Sequence, residues 1–205
     1  MPEAQDTYKA ISDRSEGFFK DKGSKFYSFA FPVFNEEEVR TNLENIRKQF
    51  HDARHHCYAY SIGFDRDLFR INDDGEPSGT AGNPIHGQIL SYDLRNVLII
   101  VVRYFGGTKL GVRGLINAYK FAAQDAINNA KILDKKLKDV YELHYDYTLM
   151  SKVMYIIKEE KLEQLETKFE IDCKLKFSVR KKESKRILEL FSAMYPLKIK
   201  YLNSI

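Results

Sequence analysis

A chain of 205 residues with 43% hydrophobic, 13% aromatic and 30% charged residues can bury a core of its own, and this composition excludes the disordered, collagenous and low-complexity classes. The longest apolar run, Val97 to Val102, is far short of the ~20 residues that cross a bilayer, the N-terminus is polar, and Cys57 and Cys173 form no CxxC; a cytoplasmic location is expected, with no disulfide framework and no four-ligand zinc site. The net charge of +4 is uneven: residues 1–134 carry 17 Lys+Arg against 18 Asp+Glu, and residues 135–205 carry 16 against 11, which permits a polyanionic partner without requiring one.

Lys25 to Val33 alternates as a strand until Pro32. Asn35 then caps a helix whose first turn, Glu36 to Glu38, suits the positive end of the dipole, and Val39, Leu43, Ile46 and Phe50 mark its buried face. Cys57–Ile62 and Leu68–Ile71 read as two short strands. Asn72–Asn83, with Gly75, Pro77, Gly79 and Gly82, reads as an ordered loop, and Asn83-Pro84 as the cap and first residue of a short helix to Tyr92. Val97–Phe105 is a strand apolar on both faces. A long helix over Leu115–Ile132 presents Tyr119, Ala122, Ala123 and Ala126 on one stripe.

Lys131–Asp139, KILDKKLKD, reads as a charged connector, with the domain boundary near Asp134 and hence domains 1–134 and 135–205. Beyond it come a strand around Tyr141–Tyr147, a helix over Met150–Leu162, strands over Leu165–Ile171 and Cys173–Val179, a helix over Glu183–Met194 and a strand around Leu197–Tyr201. The order βαββαβ is the ferredoxin-like unit. In the usual strand order for that unit, the polar face alternates Lys198 and Lys200, then Glu142 and His144, then Lys174, Lys176 and Arg180, then Glu166 and Glu170. Such columns satisfy one another and present no aromatics for RNA bases to stack on.

Three segments carry candidate chemistry. Arg103–Leu115 places Gly106, Gly107 and Gly111 between a buried strand and a helix. Backbone N–H groups at such a junction, with Arg103, Lys109 and Arg113, can cradle a phosphate, and a tight turn at positive φ explains the same glycines. It is neither a P-loop nor a G-x-G-x-x-G fingerprint. Asp73, Asp74 and Glu76 are candidate ligands of a hard cation, with Ser78 or Thr80 as a nucleophile, and Asx turns and caps explain these residue types equally well. In the run His55-His56-Cys57, Cys57 with His56 is a poor nucleophile pair, because neighbours on a strand point to opposite faces; Cys57 reads better as a small buried hydrophobe.

HHCYAYSIG at 55–63, DDGEPSGTAGNPI at 73–85, VVRYFGGTKLGVRGLINAY at 101–119 and KGSKFYSFAFPV at 22–33 closely resemble the signature of the YigZ/IMPACT family. The resemblance implies an α+β protein of two domains, the first similar to domain 2 of ribosomal protein S5 and domain IV of elongation factor G, the second ferredoxin-like and similar to that factor's domain V. Eukaryotic members regulate translation by competing for the ribosome-linked activator of the amino-acid-starvation kinase, partly through an extra N-terminal domain; this chain begins at the shared region, as expected of the bacterial form. Arg113 stands where the family commonly has glycine, adding a positive charge to the turn.

Two functions of different class follow. The first is a non-catalytic, translation-associated regulator that binds RNA, the ribosome or a translation-linked protein through a cleft formed by His55, His56, Asp74, Glu76, Ser78, Arg103, Lys109 and Arg113, with no cofactor, metal or membrane partner. The alternative is a hydrolase or other small-molecule or peptide enzyme using Asp73, Asp74 and Glu76 with a metal, or Cys57. Anion-binding groups on an open surface favour the first; a deep pocket with a perturbed carboxylate favours the second.

Overall fold

In the computed structural model, which describes residues 6–168 and 172–205, the apolar run Val97–Val102 lies in the middle strand of a five-stranded sheet, with every side chain in it buried. That sheet belongs to a unit spanning Tyr8–Lys135; Lys136–Ile205, joined by Asp6 and Thr7, forms a second unit. The first unit contains β1 (Thr7–Ile11), β2 (Ser15–Asp21), β3 (Ser24–Pro32), α1 (Glu36–Gln49), β4 (His55–Ile62), β5 (Leu68–Asn72), α2 (Gly82–Ser91), β6 (Val97–Tyr104), α3 (Gly111–Asn128) and β7 (Ile132–Lys136).

The large sheet runs β2-β3-β6-β4-β5, and all its pairs are antiparallel. Helix α1 covers one face, where Val39, Leu43 and Ile46 pack on Phe29, Phe31, Tyr58, Leu98 and Ile100. Helices α2 and α3 cover the other, where Ile85, Tyr119 and Ala122 meet Phe26, Cys57, Ile99 and Val101. Strand β6 is therefore apolar on both sides because both sides are covered. The expected cap is in place: Asn35 Oδ1 accepts from the Glu38 N–H at 2.9 Å, and Glu38 Oε2 accepts from the N–H of Phe34, the residue before the cap, at 2.8 Å.

Four expectations need correction. Strands β1 and β2 were not foreseen: β2, SEGFFKD, lies at the sheet edge and lacks the alternating apolar pattern of a strand with one face buried. The charged connector is itself a strand, since β7 pairs with β1 and Leu137 after it is buried, donating its N–H to the Asp6 carbonyl at 2.7 Å. Helix α3 starts at Gly111 rather than Leu115. Helix α2 starts at Gly82, ahead of the Asn83-Pro84 signal, because a carboxylate distant in sequence takes its N-terminal N–H groups.

The second unit contains β8 (Lys138–Asp146), α4 (Met150–Glu159), β9 (Glu163–Lys168), β10 (Asp172–Arg180), α5 (Ser184–Ser192) and β11 (Lys198–Ser204). The sheet order is β11-β8-β10-β9, the ferredoxin-like arrangement, and Val153, Ile157, Ile187 and Phe191 of its helices bury against Leu143, Leu175 and Phe177. The columns of its polar face are in register: Lys176 Nζ sits 2.7 Å from Glu166 and 3.9 Å from Glu142, and His144 Nε2 lies 2.6 Å from Glu142. Expectations for Phe169, Glu170 and Ile171 lie outside the described residues.

Candidate functional site

Strand β5 ends at Asn72, and the chain turns through Asp74 and Gly75, both at positive φ, with the Glu76 N–H returning to the Asp73 carbonyl at 2.9 Å. This turn sends the three carboxylates of the acidic loop to three separate places. Asp73 reaches across the loop to the start of α2: Oδ1 accepts from the N–H groups of Ala81 (3.0 Å) and Gly82 (2.8 Å), and Oδ2 accepts from Gly79 (2.8 Å). Burial pushes its pKa up, yet these three donors hold it below the ordinary carboxylate value. Asp74 accepts from the backbone N–H of His56 at 2.6 Å, with Arg47 at 3.6 Å.

Glu76 turns inward. Its Oε1 accepts from Arg103 Nη1 of β6 at 2.6 Å and from the Tyr119 hydroxyl of α3 at 2.8 Å; the Glu76 and Arg103 side chains are 3% and 8% exposed. One carboxylate oxygen thus ties together the strand entering the glycine-rich turn and the helix leaving it. Cys57 Sγ, fully buried on β4, lies 3.3 Å from the Tyr119 hydroxyl and 3.0 Å from the Asp73 carbonyl, and burial raises its pKa well above that of a free thiol. Burial of this kind disfavours the thiolate, the form that acts as a nucleophile. The Arg103 guanidinium also stacks near the rings of Phe26 and Phe105, at 5.6 and 5.7 Å.

The histidines are similarly engaged. His55 Nδ1 lies 2.8 Å from the Asp74 carbonyl and His56 Nε2 lies 3.1 Å from the Phe50 carbonyl; burial lowers the pKa of His56. Ser78 is exposed, whereas Thr80 is buried and donates to the Pro77 carbonyl at 2.7 Å. Among the described residues no group of three or more His, Cys, Asp and Glu could hold a metal ion.

The glycine-rich turn itself faces out. Gly106 packs so tightly against the backbone of Gly23, in the β2–β3 hairpin, that a Cβ there has no room, and Gly107 and Gly111 both have positive φ. Helix α3 then begins with no side-chain cap and no acidic residue in its first turn, and its start at Gly111 is exposed beside Lys109 and Arg113. The predicted cleft residues are therefore divided. Arg103, Glu76, Asp74 and His56 hold the framework, while Lys109, Arg113 and Ser78 reach solvent. A cavity of about 400 Å³ lies elsewhere, against the C-terminal sheet, where His144, Asp146, Lys174 and Lys198 present both signs of charge.

The member of this hub that sequence reasoning missed is Tyr119, read only as part of an apolar stripe. The available signal was a tyrosine among alanines on a core-facing stripe, since a buried phenol needs a hydrogen-bond partner.

A family model described as the Impact N-terminal domain matches residues 22–127, more than half of the chain, a range that includes both the acidic loop and the glycine turn. The chain belongs to the IMPACT family. IMPACT family member YvyE of Bacillus subtilis (strain 168) is 31% identical over 183 residues, covering 89% of this chain and 84% of that one. IMPACT family member YigZ of Escherichia coli (strain K12) is 34% identical over 128 residues, covering 62% and 63%. Among solved structures, a crystal structure of a hypothetical protein aligns over 97% of this chain and 98% of its own with a TM-score of 0.74 at 23% identity, a likeness of fold. No helix among the described residues of this IMPACT family member is long and apolar enough to cross a membrane.

Proposed function

We propose that this chain is a non-catalytic, translation-associated regulator that binds RNA or the ribosome through the glycine turn of its first unit. The observation that carries this reading is the outward-facing, uncapped start of α3, flanked by Lys109 and Arg113 with no acid in the first helical turn. Backbone donors, the positive end of the helix and two cations then face the same solvent, the arrangement that favours phosphate oxygens. Membership of the IMPACT family agrees with a role in translation. The enzyme alternative finds less support: Asp73, Asp74 and Glu76 are held apart by separate partners, and the Cys57 thiol is fully buried.

The test is cosedimentation with ribosomes and binding of single-stranded RNA over graded salt, comparing the wild type with K109A/R113A. Each lost phosphate contact flattens the slope of log affinity against log salt by ~0.7, so the double variant loses ~1.4. A wild type with no affinity for ribosomes or RNA at low salt refutes the reading, and an unchanged slope in the variant removes the glycine turn from it.

A further inference from the structure

Helix α1 ends at Gln49 with Phe50 as its cap residue, and beyond it the end of the large sheet carries aromatic and basic side chains, with Lys25 exposed and Tyr27 and Tyr104 half-buried. Tyr27 stacks on Phe50 (ring centroids 5.8 Å apart), meets Phe18 at 5.0 Å and stands edge-on to Tyr104 at 6.0 Å. Phe18 and Phe105 are 45% and 58% exposed, and Tyr27, Phe50, Tyr104 and Phe105 line a shallow cavity of about 330 Å³ together with Gly23 and Lys25. That volume is within the ~300–1,000 Å³ of ordinary ligand clefts.

Charge decides what fits there. Lys20 lies directly opposite Lys25 in the β2–β3 ladder, a like-charge pair that weakens a sheet unless an anion lies over it, and Lys22 sits at the hairpin tip. None of the three forms an ion pair among the described residues. Asp21 alternates to the opposite face from Lys20, so the acid bordering the platform is Asp52, whose carboxylate accepts from the Tyr104 hydroxyl at 2.6 Å, one acid against three lysines. The hairpin tip also touches the glycine turn through Gly23 and Gly106.

We infer that this platform takes an unpaired stretch of RNA, with bases stacking on Phe105 and Tyr104 and phosphates lying along Lys20, Lys22 and Lys25. The inference rests on the RNA reading above and gives it a substrate class: single strands, whose bases are free to stack, rather than duplexes. Exposed aromatic faces in a basic groove read base planes without reading sequence, so little preference among unstructured oligomers is expected.

The chain has no tryptophan, so F105W places a single indole on the platform. Titrating this variant with single-stranded oligo(A), with an abasic sugar-phosphate oligomer of equal length and with the duplex separates the possibilities. Stacking predicts quenching of the indole by oligo(A) alone, and wild-type affinity for oligo(A) on the order of ten-fold above that for the abasic oligomer. F105A, at an exposed position, retains its fold by circular dichroism, loses about ten-fold for oligo(A) and loses nothing for the abasic oligomer. K20A/K25A flattens the salt slope by ~1.4 for both ligands. Equal affinity for oligo(A) and the abasic oligomer with unchanged indole emission, or tighter binding of the duplex, overturns the platform and leaves the glycine-turn reading standing. No binding of any oligomer or of ribosomes at low salt overturns both.

Discussion

The acidic loop and the glycine turn each carry three charged side chains, and the structure uses them in opposite ways. In the loop Asp73, Asp74 and Glu76 all face partners within the unit: helix N–H groups, a strand N–H, and the buried Arg103 and Tyr119. In the turn Lys109 and Arg113 face solvent next to a helix start that no side chain caps. The loop therefore braces the turn, and the turn leaves Lys109 and Arg113 in solvent. Polar density alone does not locate a binding surface; what distinguishes the two regions is whether each charge already has a partner.

If that division holds, the largest effect on stability comes from Glu76. Truncation by E76A leaves Arg103 buried without its counter-charge and Tyr119 without its acceptor, so unfolding by urea should show a loss of about 3–5 kcal/mol. Adding R103M removes the stranded charge and should recover much of the loss. An E76A variant as stable as the wild type would break the comparison, because the loop would then not be the frame of the turn.

Asp73 comes next. D73A strips the start of α2 of its only described side-chain acceptor and should cost about 1–2 kcal/mol, the range of a lost helix cap. Its folded pKa is depressed, so its contribution is complete above the ordinary value of 3.8 and is lost as pH falls below that toward the folded value; D73N should lack this acid limb. His56 acts in a higher window. Its folded pKa is lowered by burial, so the unfolded chain takes up protons first and stability falls as pH drops below 6.5, a decline that H56N should flatten in melting curves.

The parts of this arrangement that were legible in the sequence are those set by local spacing. Asn35 followed by Glu36 to Glu38 and by the period of Val39, Leu43 and Ile46 announced α1, the alternation of β8 and β10 announced a half-buried sheet, and the unbroken run of β6 announced a doubly covered strand. What was not legible depends on contacts between distant residues. Asn83-Pro84 is a strong local start signal, yet Asp73, pulled across the loop by the Asp74-Gly75 turn, caps the helix earlier. Arg103 looked like one more cation at the turn because nothing in its neighbourhood reveals that Glu76, on another element, neutralises it. Likewise KILDKKLKD reads as solvated connector because its pairing with β1 is supplied by the far end of the chain.

The smallest effects should fall on the surface charges, and there the comparison separates folding from binding. K109A/R113A removes two exposed cations without touching the glycines, so thermal unfolding should shift stability by no more than about 0.5 kcal/mol while the RNA salt slope falls. The matched control is K174A/K176A on the C-terminal sheet. Lys176 already bridges Glu166 and Glu142, so the control should cost slightly more stability than the turn variant and change RNA binding less. The two variants remove the same formal charge, so net charge and long-range steering change equally in both, and any difference in binding belongs to position. Loss of binding in the control with binding kept in K109A/R113A would move the RNA surface to the ferredoxin-like unit, where its unevenly placed positive charge would become the reason.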